Sequence, residues 1–160
     1  MNRRELLILT AAAPGLAQNN SWKPKLFDAH QNETVVALTE LIIPATDTPG
    51  AKAALVNRYI DLLLNDGPAG DRDRFMEGLA FLDGHAIRKH QQPFVRCTAA
   101  QQTAILEEFD KGSGSGNRFF RQAKQLTSRI YYATQIGYAE LNKGGRVPST
   151  YGCAHPEHKA

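Results

Sequence analysis

Cys153, His155 and His158 crowd together near the C-terminal end of this 160-residue chain. Thiolate and imidazole are the side chains that hold zinc, copper or a haem edge. Such a site needs about four ligands, or an open position braced by rigid outer contacts. The segment Ala154-His-Pro-Glu-His-Lys-Ala160 is polar and carries no period that would brace it, so a plain exposed tail is the simpler reading. The haem-attachment pattern Cys-x-x-Cys-His is absent. His85 and His90 do not share a helical face and suit the C-terminal end of a helix dipole, while His30 stands alone.

Other chemistries fare no better. The run Gly112-Ser-Gly-Ser-Gly116 lacks the preceding strand and the following Lys-Ser/Thr of a phosphate loop, and reads as a flexible link. No serine sits in a Gly-x-Ser-x-Gly elbow. The carboxylate pairs Glu107-Glu108 and Asp71-x-Asp73 lie among basic residues, as on solvated helix faces. The expectation is a chain with no catalytic, metal-binding or cofactor-binding residues of its own.

Asn2-Arg3-Arg4-Glu5-Leu6-Leu7 fits the twin-arginine export pattern, and an apolar stretch to Ala13 leads into Gly15-Leu16-Ala17. Residues 1–17 are thus expected to be a twin-arginine signal peptide, with Arg3 and Arg4 as its recognition pair. The apolar part falls far short of the roughly 20 residues that span a bilayer. This route carries folded cargo, often with a cofactor or partner aboard. Loss of residues 1–17 removes two arginines and one glutamate, so the formal charge falls from +3 to +2. That charge is too small and interspersed for nucleic acid.

Export would bring both cysteines to an oxidising compartment. Cys97 and Cys153 can bridge each other, with about 4 kcal/mol of stabilisation by chain entropy. Alternatively Cys153 bonds a second chain while Cys97 stays a small buried hydrophobe. The intermolecular bond is favoured, because a tail without its own core makes a better strap than a lid.

The elements that must position these residues are helical. Apolar residues recur at helical spacing in five stripes. The first is Val35, Leu38, Leu41 and Ile42, stopped by Pro44; the second is Leu55, Tyr59, Leu62 and Leu63, stopped by Asn65-Asp-Gly-Pro68. Phe75, Leu79, Leu82 and Ala86 make the third. Thr98 with Gln101 forms a capping box before Ile105, Leu106 and Phe109. Phe119, Ala123, Leu126, Ile130 and Ala133 complete the set. The predicted fold is all-α, a single small domain of about five helices over residues 18–142, with an irregular C-terminal tail over 143–160 laid on a partner.

Leu38-Thr-Glu-Leu-Ile-Ile-Pro-Ala-Thr-Asp-Thr-Pro-Gly-Ala-Lys-Ala-Ala54 resembles the signature of the gluconate 2-dehydrogenase subunit 3 family, in which a helix ends in Ile-Ile-Pro and Pro-Gly-Ala opens the next. Physically, Pro44 ends one helix, Asp47 or Thr48 can cap, and Pro49-Gly50 turns into a second helix from Ala51. The likeness continues through Asn57-Arg-Tyr-Ile-Asp61, Pro93-Phe94 and Tyr131-Tyr-Ala-Thr-Gln-Ile-Gly137, and ends in Pro148-Ser-Thr-Tyr-Gly-Cys153, which departs from the Pro-Gly-Cys ending of some members.

The resemblance implies a non-catalytic small subunit. Its larger partner is an FAD-dependent dehydrogenase of the glucose-methanol-choline type, acting on a sugar or sugar acid and passing electrons to a cytochrome c subunit. The small subunit assists folding, flavin loading and twin-arginine export of that partner, and binds no FAD itself. The complex is periplasmic, peripheral to the inner membrane. Interface candidates are Pro44, Asp47, Pro49, Gly50, Tyr131, Tyr132, Pro148 and Tyr151, with Cys153 as an inter-subunit disulfide. The alternative from the residues alone is a free-standing exported helical structural protein.

Overall fold

The computed structural model describes residues 22–142. Among them lie six α-helices and no strand: α1 (Ala29–Ile42), α2 (Val56–Asp66), α3 (Ala69–His90), α4 (Ala99–Lys111), α5 (Ser115–Ala133) and α6 (Gln135–Leu141), with a 3-10 turn at Phe94–Arg96. The fold is all-α, as the periodicity predicts. The expected twin-arginine signal with Arg3 and Arg4, and the C-terminal segment with Pro148, Tyr151, Cys153, His155 and His158, lie outside the described residues.

Two capping boxes start helices. Asp28 accepts from the Gln31 amide at 2.8 Å while Gln31 accepts from the Asp28 amide at 3.0 Å, and Thr98 with Gln101 repeats the exchange at α4. Each exchange satisfies amides that a helix start leaves open.

α5 is the central element and packs against every other helix of the set. Phe119 meets Phe75 of α3 edge to face, with ring centroids 5.5 Å apart. Each such buried ring contributes roughly 1.5–3 kcal/mol by leaving water. Gly78 makes this approach possible, since a Cβ there would overlap the Phe119 ring. The third and fourth stripes are buried as expected; in the fifth, Leu126 is half-buried and Ala133 exposed.

The second stripe is rotated from its expected position. Tyr59 and Leu63 are 52% and 46% exposed, while Val56, Asn57, Ile60, Asp61 and Leu64 face inward. Two buried polar residues decide this. Asp61 accepts from the Lys25, Leu26 and Phe27 amides at 2.8–3.0 Å, and Asn57 donates to Asn32 at 2.8 Å. Polar groups are buried at modest cost once they are hydrogen-bonded.

Three further differences have local causes. α2 begins at Val56 rather than Ala51, because residues 51–55 form turns that end in Leu55 at a left-handed φ of 55°. The glycine-rich link is a built corner: Ser115 and Gly116 belong to α5, and Gly116 is buried against the Phe109 ring. Thr134 adopts an extended conformation that ends α5 and caps α6, accepting from the Gly137 amide at 3.1 Å. Gly137 lets α6 lie close on the end of α5, where a Cβ would overlap the Tyr131 carbonyl.

Candidate partner-binding face

The segment between α1 and α2 is a corner held from two sides. Pro44 has no amide to continue α1, so the chain turns out. Glu40, in the last turn of α1, reaches forward and accepts from the Ala45 amide at 2.9 Å and the Lys52 amide at 2.8 Å. Neither Asp47 nor Thr48 caps α2; the clasp belongs to Glu40, and Thr46 donates its hydroxyl to Asp47 at 2.9 Å. Gly50 is buried at the closest point, where a Cβ would lie 2.5 Å from both Ala45 N and Glu40 Oε1.

Tyr131 holds the corner from the other side. It is 2% exposed, and its hydroxyl donates to the Pro49 carbonyl at 2.7 Å. Tyr132 packs edge-on against Tyr131 at 5.2 Å and remains 41% exposed. The fold thus brings together the loop residues and the tyrosine pair singled out from the sequence. Pro44, Asp47 and Pro49 are exposed. Tyr131 contributes by shaping the corner, and Tyr132 presents the ring.

Beside this corner, Tyr59, Leu62 and Leu63 of α2 face Ile130, Ala133 and Thr134 across a shallow groove. Tyr138 and Leu141 on α6 are 52% and 46% exposed. The exposed Tyr59 and Leu63 escaped the pattern reading, which placed both in the core. The buried Asp61 was the signal, because an inward Asp61 turns Tyr59 and Leu63 outward on a 3.6-residue period.

Several titratable groups are engaged in structure. His30, isolated in sequence, pairs with Asp83 at 2.6 Å, and Asp83 also accepts from the Phe94 amide at 2.9 Å. The carboxylate pairs sit on solvated faces: Asp71 pairs with Arg74, Asp73 with Arg72, Glu107 with Lys111, and Glu108 with Lys89. Lys89, assisted by His85, holds the Glu108 carboxyl below the usual glutamate range. Burial pushes the free Cys97 thiol up, which disfavours the reactive thiolate. Among the described residues no cluster of three His, Cys, Asp or Glu is placed to share a metal ion, and no helix is long and apolar enough to cross a membrane.

No curated protein and no solved structure matches the chain. A family model described as gluconate 2-dehydrogenase subunit 3 matches residues 29–145, from the first residue of α1 to beyond α6.

Proposed function

The chain belongs to the gluconate 2-dehydrogenase subunit 3 family, and from that membership we propose that it is the non-catalytic accessory subunit of an FAD-dependent sugar or sugar-acid dehydrogenase. The family match over 29–145 carries this reading. The catalytic subunit holds the flavin; this chain supplies docking surface, aids flavin loading, and takes the assembled pair across the membrane through the Arg3-Arg4 signal. A cytochrome c subunit then receives the electrons at the periplasmic face.

Two features support the docking role. The corner at Pro44–Gly50 is rigidly braced by Glu40 and Tyr131 while Pro44, Asp47, Pro49 and Tyr132 stay exposed. Interfaces favour such preorganised surfaces with aromatic anchors. Tyr59, Leu63 and Tyr138 add apolar and aromatic surface that this domain leaves uncovered. In this reading the tail from Pro148 through Tyr151 to Cys153 straps onto the partner, and Cys153 forms a bond between subunits.

Co-expression of the flavoprotein with and without this chain tests the reading. The expected result is lower flavin content, solubility and periplasmic yield of the flavoprotein when the chain is missing. Unchanged values for all three overturn it. Replacing Arg3 and Arg4 by lysine is expected to hold both proteins in the cytoplasm, and a non-reducing gel of the complex reports the Cys153 bond.

A further inference from the structure

One helix face carries charge that this domain does not use. No Asp or Glu stands between Asp110 and Glu140, yet α5 holds Arg118, Arg121, Lys124 and Arg129. Lys124 is engaged, with its ammonium 2.6 Å from Asp110 and above the Phe120 ring. The other three are exposed, and no carboxylate among the described residues lies within ion-pair distance of them. Arg118 only donates to the Ser115 hydroxyl at 3.2 Å.

Their placement on the helix is clean. At 100° per residue, Arg118, Gln125 and Arg129 fall on one line with Arg121 beside it, on the side opposite the buried Phe120 and Thr127. The three guanidinium groups run along about 16 Å of helix. Beside them, between α3 and α5, lies a groove lined by Leu63, Phe81 and Leu126, with Phe81 36% and Leu63 46% exposed. Glu77 and the Asp71–Arg74 pair form the far wall of that groove.

We propose that this face of α5 docks an acidic amphipathic segment of the catalytic subunit, with carboxylates on Arg118, Arg121 and Arg129 and an apolar side chain in the groove of Leu63, Phe81 and Leu126. The proposal rests on the subunit reading above and adds the chemistry of one contact. Planar guanidinium forks bind carboxylates in pairs of parallel bonds, which fixes orientation as well as charge. The adjoining groove, which offers Leu63, Phe81 and Leu126 for an apolar side chain and carries Glu77 on its far side, favours a peptide over an anionic lipid surface. Charges of this kind speed encounter and set its salt dependence more than they set final affinity.

The test measures association of the full chain with the catalytic subunit taken from the native complex, by surface plasmon resonance from low to high salt. The expected result is a wild-type association rate that falls steeply with salt. The R118E/R121E/R129E chain is expected to associate at least tenfold more slowly at low salt, with a flattened salt response. Circular dichroism checks its helix content, and R118Q/R121Q/R129Q replaces it if the reversal disturbs folding.

R121K keeps the charge and lets a carbodiimide couple position 121 to a partner carboxylate; a coupled acidic peptide found by mass spectrometry locates the contact. Equal rates and equal salt response in wild type and both triple variants overturn the α5 contact while leaving the subunit reading intact. Absence of wild-type binding at every salt overturns both. Arginine-dependent flotation with phosphatidylglycerol vesicles, alongside unchanged subunit binding, overturns the peptide in favour of a membrane.

Discussion

The Tyr131 hydroxyl and the Pro49 carbonyl meet at 2.7 Å across 82 residues of sequence. This bond fixes the last turn of α5 to the corner that Glu40 clasps from α1. Three separated segments therefore share one rigid point, and Tyr132 extends from it into solvent.

Removing the hydroxyl tests that linkage. Y131F keeps the ring and its packing on Tyr132 and leaves the Pro49 carbonyl without its donor. The expected loss is about 1–1.5 kcal/mol, the usual net worth of such a bond. Hydrogen exchange at the Ala51 amide, which donates to Ile43 within the same corner, should quicken. Unchanged exchange and stability would show that Glu40 alone holds the corner.

Asp61 governs how the chain enters the domain. Its carboxylate is fully buried and takes three consecutive amides from Lys25 to Phe27. D61N puts an amide donor against one of those donors and removes the charge that strengthens all three bonds. Roughly 2–4 kcal/mol should be lost in urea titration, with early release of residues 25–27. A midpoint shift worth under about 0.5 kcal/mol rejects the role, since that is the range of ordinary surface changes.

Gly78 inverts a familiar rule. Alanine in a helix interior normally gains about 1 kcal/mol over glycine. Here the new methyl would overlap the Phe119 ring and force α3 and α5 apart. G78A is expected to lower stability by about 1–3 kcal/mol, the cost of overpacking. G70A is the control, because a Cβ there meets nothing within 4 Å and should leave stability level or raised. Equal behaviour of the two variants would rule out close packing at Gly78.

Glu108 supplies a pH signature. Lys89 first, then His85, holds its carboxyl below the usual range in the folded chain. A carboxylate depressed on folding contributes stability that is fully present above its unfolded value and fades as pH falls through its folded value. Wild type should therefore exceed E108Q in denaturation midpoint at neutral pH, and the gap should close in acid below about pH 4. A gap that persists unchanged into acid assigns the effect to shape rather than charge.

The sequence by itself determined the helical class, the capping box at Thr98 and the core faces of α3 and α4. These depend on spacing and on bonds between residues three or four apart, so they are written locally. It also carried the family likeness in the corner from Leu38 to Ala51, since proline and glycine fix backbone geometry wherever they stand.

Only the tertiary structure decided which way α2 faces. Asp61 and Asn57 look like surface residues until the amides of residues 25–27 and the side chain of Asn32 arrive to satisfy them. The same holds for Glu40, whose amide donors become available only when the corner folds back, and for His30 of α1, which meets Asp83 on α3. Long-range hydrogen bonds leave no period in a sequence. The line of arginines on α5 is implicit in residue spacing, but its lack of carboxylate partners among the described residues emerged when the other helices packed around it.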